Sequence, residues 1–196
     1  RSIIMSKTTK TTKYNDSWMY ILLLSTIVIL GESLKTYTFN LLGVNLTYVI
    51  FLLPFIFMVT NYITKKYGFK RTLTAIIISS ISLIAFVLLM NFAIGKTFTI
   101  SSISGGLAGY LVSQTINTMI YKFLLVNTNS PYLLVLLNYV FGYILFYMLY
   151  AIVRMDLVIA DTFWIGYFIT LFIQTLMSMG LATIDKKIKV GMSKDD

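Results

Sequence analysis

The sequence predicts an all-α membrane protein, a bundle of six transmembrane helices, on three observations. The chain of 196 residues is 58% hydrophobic, and its mean hydropathy is +0.83. Only 12% of its residues are charged, whereas soluble domains carry about 25%. Its apolar runs are continuous and lack the ~10-residue alternation of membrane barrels. An ordinary soluble fold is therefore excluded, and a lipid bilayer is the expected surrounding.

Six apolar segments are separated by short breaks rich in Gly, Asn, Pro or charged residues. Each approaches the ~20 residues that a helix needs to cross a bilayer. The segments cover approximately residues 17–36, 45–64, 71–94, 101–126, 131–154 and 162–184. This division predicts a polar N-terminal tail over 1–16, a transmembrane domain over 17–184 and a charged C-terminal tail over 185–196.

The basic residues fall in the breaks between apolar segments, so the net charge of +9 indicates membrane topology and no nucleic-acid partner. With the N-terminus inside, thirteen Lys and Arg lie on the inner side and only Lys35, Lys96 and Arg154 on the outer side. Cytoplasmic segments carry such an excess of basic residues. We therefore expect a multi-pass protein of the plasma or inner membrane with both termini in the cytoplasm.

The chain contains no cysteine and no histidine. Disulfides and thiolate metal sites are thereby excluded, together with the commonest general base. There is also no acidic pair within one span, no Ser with a visible base and no Gly-rich phosphate loop. We expect no enzyme activity, no metal and no cofactor.

Two residues of the first two spans allow two interpretations each. Glu32 is the only acidic residue within a predicted span, and it precedes Lys35 by three positions. It either forms an ion pair near the membrane surface or serves as a carboxylate for an ion or substrate. Pro54 interrupts the second span and produces either a simple kink or a free backbone carbonyl near a binding site.

The fourth span combines small residues with two amides. A row of small side chains recurs every four residues at Ser101, Gly105, Gly109 and Ser113. Such a row permits close helix packing, either within the chain or in a homo-oligomer. Gln114 and Asn117 lie three residues apart and need polar partners in lipid. They either line a polar cavity or bridge helices.

The fifth and sixth spans carry further polar stripes. The fifth has tyrosines at 4-4-3 spacing: Tyr139, Tyr143, Tyr147 and Tyr150. They either pack within the bundle or offer aromatic faces to a planar ligand. The sixth has polar residues four apart: Thr170, Gln174 and Ser178. The simplest arrangement directs the stripes of spans two, four, five and six into one shared cavity.

Two segments resemble motifs of the VUT family, six-helix membrane proteins described as queuosine precursor transporters. The first family motif is T-D-x-x-x-E-x-Y-G, matched here by Thr60, Asn61, Lys65, Tyr67 and Gly68. The second is S-Q-x-x-D-x-x-x-F, matched here by Ser113, Gln114, Asn117 and Tyr121. The resemblance covers roughly residues 20–125, and spacing agrees within both motifs.

The chain departs from the family at three acidic positions. Asn61 and Asn117 stand where the family has Asp, and Lys65 stands where it commonly has Glu. The family's later R-N-x-x-S-T-x-x-x-Q-x-x-D pattern is absent around 134–150. Because Asn keeps hydrogen-bonding capacity but cannot exchange a proton, it should bind an aminomethyl cation more weakly than Asp. The binding of a neutral heterocycle should be weakened less by this replacement of Asp with Asn.

The resemblance implies an importer of a small molecule, a queuosine precursor of the 7-deazaguanine type or a similar planar heterocycle. The expected substrate-binding residues are Asn61, Gln114, Asn117, Tyr121, Tyr143, Tyr147 and Gln174. The amides of spans two and four would read the polar edge of the substrate, and Tyr143 or Tyr147 would stack on its face. Transport would proceed by alternating access without ATP.

Two other functions remain open. Substrate-binding subunits of energy-coupling-factor importers are also six-helix proteins of about this length, and they dock to a separate ATPase module. Dependence of uptake on such a module would identify one. A non-transport scaffold protein would use its polar stripes only to hold helices together. Mutating Gln114 and Asn117 would then cost stability and would not selectively cost ligand binding.

Overall fold

The structure, a computed structural model, describes residues 2–94 and 100–127 and helical residues within 133–148 and 168–183, with side chains for 17–93 and from 107 onward within these ranges. The elements are α1 (Ser2–Leu34), β1 (Thr38–Leu41), β2 (Val44–Thr47), a 3-10 helix (Tyr48–Phe51), α2 (Leu53–Tyr67), α3 (Phe69–Ile94) and α4 (Ile100–Asn127). The described part is therefore mostly helical, as the sequence predicts. α1 runs without interruption through the expected tail boundary at residue 17.

Three stretches of the described part are helical, long and apolar enough to cross a membrane. They are Ser17–Leu34, Tyr48–Tyr67 and Phe69–Ala93. These correspond to the first three predicted spans. α4 has 28 residues, and its described residues are not among these three stretches. Much of the predicted fifth and sixth spans lies outside the described residues.

A β-hairpin precedes the second membrane-length stretch, so the expected start of that span at residue 45 is wrong. β1 and β2 pair antiparallel, with Thr38 opposite Thr47. The turn places Leu42 and Gly43 at positive φ, 54° and 81°, as tight hairpin turns require. The side-chain Oδ1 of Asn40 accepts a hydrogen bond from the Gly43 N–H at 3.1 Å. This turn fixes residues 45–47 in a strand.

Pro54 begins a helix and does not interrupt one, which corrects the expectation that it interrupts the second span. It lies in the first turn of α2, after the 3-10 helix. The N–H groups of a first helical turn have no partner within the helix, so proline costs no hydrogen bond there. At the other end, Gly68 adopts φ 88° and its N–H bonds to the Thr64 carbonyl at 3.0 Å. Helices α2 and α3 thus form a tight helical hairpin.

Helices α1, α2 and α3 pack against one another, and α4 packs against α2 and α3. Their shared core is apolar and includes the fully buried side chains Ile21, Leu24, Phe57, Ile63, Ile76 and Val87. Large apolar side chains also cover the outside, among them Leu22, Leu88, Leu89, Phe92, Phe123 and Val126. Soluble monomers rarely expose contiguous apolar surface on this scale. An apolar exterior is compatible with a membrane protein.

Basic residues from three helices gather at one end of the bundle. The Arg71 guanidinium lies 4.7 Å from the Trp18 ring, and its Nε donates to Ser17 Oγ at 2.8 Å. The Lys122 ammonium lies 5.7 Å from the Phe69 ring. Residues 17–18 of α1, the α2–α3 turn and the end of α4 therefore lie together. The β-hairpin follows the other end of α1. There Glu32 and Lys35 form an ion pair, which agrees with the first of the two interpretations of Glu32.

Because the chain lacks cysteine, single introduced cysteines can report the orientation of these two ends. We predict that Leu42→Cys, at the exposed tip of the hairpin, reacts with a membrane-impermeant maleimide in intact cells. Lys70→Cys, at the exposed basic end, should react only after the cells are permeabilised, since basic ends stay cytoplasmic. Labelling of position 70 but not 42 in intact cells would contradict this orientation.

Candidate functional site: a buried amide cluster

Four amide side chains meet between α2, α4 and a helical stretch farther along the chain. We call Asn61, Gln114, Asn117 and Asn138 the amide cluster. Asn61 is 6% exposed, and the other three are fully buried. Primary amides are strongly hydrated, so burying four of them together is costly unless they are hydrogen-bonded. The cluster is therefore the place where the described structure most needs an explanation.

The helices position these side chains by simple spacing. Asn61 lies near the end of α2, which packs against α4. On α4, Gln114 and Asn117 are three residues apart and so project from one face of the helix. The third contribution comes from helical residues 136–138 and 140–142, the Asn138 segment.

Asn138 joins α2 to α4. The Asn61 Nδ2 donates a hydrogen bond to Asn138 Oδ1 at 2.7 Å. The Asn138 Nδ2 in turn donates to the backbone carbonyl of Asn117 at 3.0 Å. Away from water, such interhelical hydrogen bonds hold helices together. Both heavy atoms of the Asn138 amide are thereby paired.

The other three amides keep unpaired atoms. The buried atoms without a hydrogen-bond partner in the described structure include Asn61 Oδ1, Gln114 Nε2, Asn117 Nδ2 and Asn117 Oδ1. In folded proteins the large majority of buried polar side-chain atoms are paired. Four such atoms at one place are therefore an exception, and they leave hydrogen-bonding capacity for something else.

Gln114 pairs one atom of its side-chain amide, whereas Asn117 pairs neither atom. Gln114 contacts one polar side-chain atom, Thr60 Oγ1, at 3.2 Å from Oε1. The Thr60 hydroxyl can also donate to the Ile56 carbonyl at 2.9 Å. Exchanging the oxygen and nitrogen of the Gln114 amide would let nitrogen donate to Thr60, so either assignment keeps the contact between these two side chains.

Gly142 lets the Asn138 segment approach this site closely. A Cβ atom at this position would lie 2.6 Å from Asn117 Oδ1 and 2.7 Å from Phe57 Cε1. Both distances are shorter than any normal contact, so only glycine fits the present arrangement. The backbone at Gly142 thus forms one wall beside Asn117.

The site is uncharged. By sequence, the segments that contribute its side chains, 36–64, 97–121 and 123–153, contain no Asp, Glu, Lys or Arg. The neighbouring Lys65 and Lys122 are exposed at the basic end of the bundle. Among the described residues, no group of His, Cys, Asp or Glu could hold a metal ion. The arrangement is suited to hydrogen bonding with a neutral polar molecule.

The structure brings together three of the expected site residues, Asn61, Gln114 and Asn117. Tyr121 is buried on α4, one turn beyond Asn117. The expected residues Tyr143, Tyr147 and Gln174 lie outside the described residues.

Sequence reasoning left three contributors out of the expected site: Thr60, Asn138 and Gly142. Asn138 is an isolated amide in the apolar run 131–154, the same signal that singled out Asn61. Gly142 follows it by four residues, which places both on one helical face.

No protein-family model, curated protein or solved structure matches this chain. Its class therefore rests on its fold and its site. The part of the chain that the structure describes is mostly helical, with three stretches long and apolar enough to cross a membrane and a buried, uncharged cluster of amides.

The contact at Gly142 can be tested with a matched pair of glycine variants. We predict that Gly142→Ala lowers the free energy of unfolding by about 1–3 kcal/mol, because overpacking displaces Asn117 or Phe57. Gly180→Ala, with no atom within 4 Å of the added Cβ, should change it little. Thermal unfolding in detergent measures both. Equal effects would show that the Asn138 segment does not approach this closely.

Asn138 and Asn117 should differ sharply in their contribution to stability. Asn138→Leu leaves Asn61 Nδ2 without its partner and removes the interhelical hydrogen bond to the Asn117 carbonyl, and we predict a loss of about 1–3 kcal/mol. Asn117→Leu removes no side-chain hydrogen bond, so stability should be unchanged or slightly raised. Equilibrium unfolding in detergent compares the two variants. A similar loss in both would mean that the Asn117 amide is paired.

Proposed function

We propose that this chain is a six-helix importer of the inner or plasma membrane for a small planar heterocycle, and that the amide cluster is its binding site. The substrate class suggested by the resemblance to the VUT family is a 7-deazaguanine precursor of queuosine. The basic end of the bundle would face the cytoplasm, in keeping with the bias of Lys and Arg. The chain would transport its substrate without hydrolysing ATP.

The observation that carries the proposal is the set of unpaired amide atoms. Buried polar networks that serve only packing are more stable when every member is paired. Here the Asn117 amide is fully buried with neither atom hydrogen-bonded. A substrate with a polar edge would supply the missing partners, and the free energy gained would contribute to binding.

Access to the site would require helices to separate. Gln114 and Asn117 are fully buried, so a substrate cannot reach them in this arrangement. The Asn138 segment is held to α2 and α4 by two hydrogen bonds and the tight contact at Gly142. Displacing this segment from either side of the membrane would open the site alternately, as transporters with a central binding site do.

A packing role is the second candidate, and the chain of hydrogen bonds from Asn61 through Asn138 to Asn117 favours it. If the amide cluster served helix packing alone, its unpaired atoms would have no function, and Asn117→Leu would leave every function of the protein intact. The two candidates therefore differ in what this variant does to uptake.

Uptake in cells lacking their own precursor synthesis and transporter tests the proposal. We predict that the intact protein restores queuosine in tRNA when a 7-deazaguanine precursor is supplied. Asn117→Leu, at equal membrane abundance, should reduce initial uptake by about 5- to 150-fold, because losing one or two buried hydrogen bonds to a ligand costs about 1–3 kcal/mol.

The matched control is Asn127→Leu, the same substitution on the same helix. Asn127 is exposed, and its amide bonds only to the Phe123 carbonyl, so uptake should stay at the level of the intact protein. Rescue by all three proteins would refute the amide cluster as the site. Rescue only when an ATPase module is co-expressed would instead identify an energy-coupling-factor subunit.

A further inference from the structure

We infer that the amide cluster selects an uncharged ligand and discriminates against cations, with Asn61 and Asn117 as the specificity-determining residues. This inference rests on the proposed binding site and adds the electrical character of what the site accepts. It separates ligands that share the same ring edge by the charge that they carry.

The unpaired atoms themselves describe the complementary edge. Gln114 Nε2 and Asn117 Nδ2 are donors, whereas Asn61 Oδ1 and Asn117 Oδ1 are acceptors. A neutral ring edge with neighbouring donors and acceptors, such as a lactam beside an amino group, can pair with both kinds. An ammonium group has donors only and would leave the two amide nitrogens of the cluster unpaired.

No carboxylate is available to compensate a cation here. The segments 36–64, 97–121 and 123–153, which supply the cluster, contain no acidic residue, and neither does 162–184. Glu32, the one acidic residue of the first predicted span, is paired with Lys35. Moving a cation out of water without an opposite charge is among the costliest steps in binding. Amide oxygens offset part of this cost, and the neutral ligand avoids it.

The basic end of the bundle adds to the discrimination against cations. Lys65, Lys66, Lys70 and Arg71 surround the α2–α3 turn, and Lys65 follows Asn61 by one helical turn. Their summed field raises the energy of a cation that approaches from that end. A neutral ligand is unaffected.

A single isosteric change should reverse the selection. Asn117→Asp keeps the shape of the side chain and supplies a buried carboxylate, which forms stronger, charge-assisted hydrogen bonds with an ammonium group. The carboxylate next to a neutral ligand would remain uncompensated. The variant should therefore bind the cation more tightly, and the neutral ligand more weakly, than the wild-type chain does.

The experiment compares two probes that differ in charge. 7-Cyano-7-deazaguanine is neutral, and 7-aminomethyl-7-deazaguanine is cationic. Binding to the full chain in detergent is measured at about pH 8, which favours the ionised carboxylate of the variant. We expect the wild-type chain to bind the neutral probe at least tenfold more tightly. Asn117→Asp should shift the ratio of the two dissociation constants at least tenfold toward the cation.

Asn127→Asp is the matched control, because it makes the same charge change at an exposed position of the same helix. It should leave the ratio unchanged. The wild-type ratio decides the matter even if Asn117→Asp does not fold. Equal binding of both probes, or preference for the cation, would overturn the selection while the proposed transport function stands. Binding of neither probe by the folded wild-type chain would overturn both.

Discussion

Pairing of buried polar groups is the constraint on which this structure depends. Helices α2, α3 and α4 are joined in pairs by hydrogen bonds between buried side chains. The Thr64 and Thr72 hydroxyls join α2 to α3 at 2.9 Å, and those of Ser79 and Tyr110 join α3 to α4 at 2.7 Å. In an apolar surrounding no water competes for these groups, so an alternative packing that separates them leaves them unpaired. The polar contacts thus select one arrangement among many apolar ones.

The amide cluster both follows this rule and breaks it. Asn138 is fully paired and joins two helices, whereas Asn117 beside it pairs neither atom. Stability alone does not account for retaining such a side chain, because a leucine of similar size would avoid the cost of burial. We propose that Asn138 holds the helices of the site together, and that Gln114, Asn117 and Asn61 bind the ligand.

The sequence predicted the helical class and the first three spans because length and hydropathy are local properties. Its errors have local causes too. Residues 45–47 continue an apolar run, so nothing in their composition separates them from a helix. Their assignment to a strand depends on the turn at Leu42 and Gly43. Pro54 looked like an interruption only because that boundary was set too early.

The site was predictable in part. Isolated amides in apolar runs mark places where partners are needed, which is why Asn61, Gln114 and Asn117 were found. Two features depend on contacts between residues that are distant in sequence. One is the pairing of Asn138 with Asn61, and the other is the close approach that Gly142 permits. The separation of Asn61 from Asn138 is 77 residues, and no local pattern encodes such a pairing. The aromatic contribution of Tyr143 and Tyr147 remains a prediction.

The most direct test of the account uses the side-chain signal of Gln114. The chain has two glutamines, Gln114 and Gln174, so protein labelled with nitrogen-15 at glutamine side chains gives two pairs of amide signals. The Gln174→Leu variant assigns them. Titration with 7-cyano-7-deazaguanine in detergent should shift the Gln114 amide protons downfield, to a saturating value, as Nε2 gains an acceptor. Saturable binding that leaves the Gln114 signal unmoved would contradict the account.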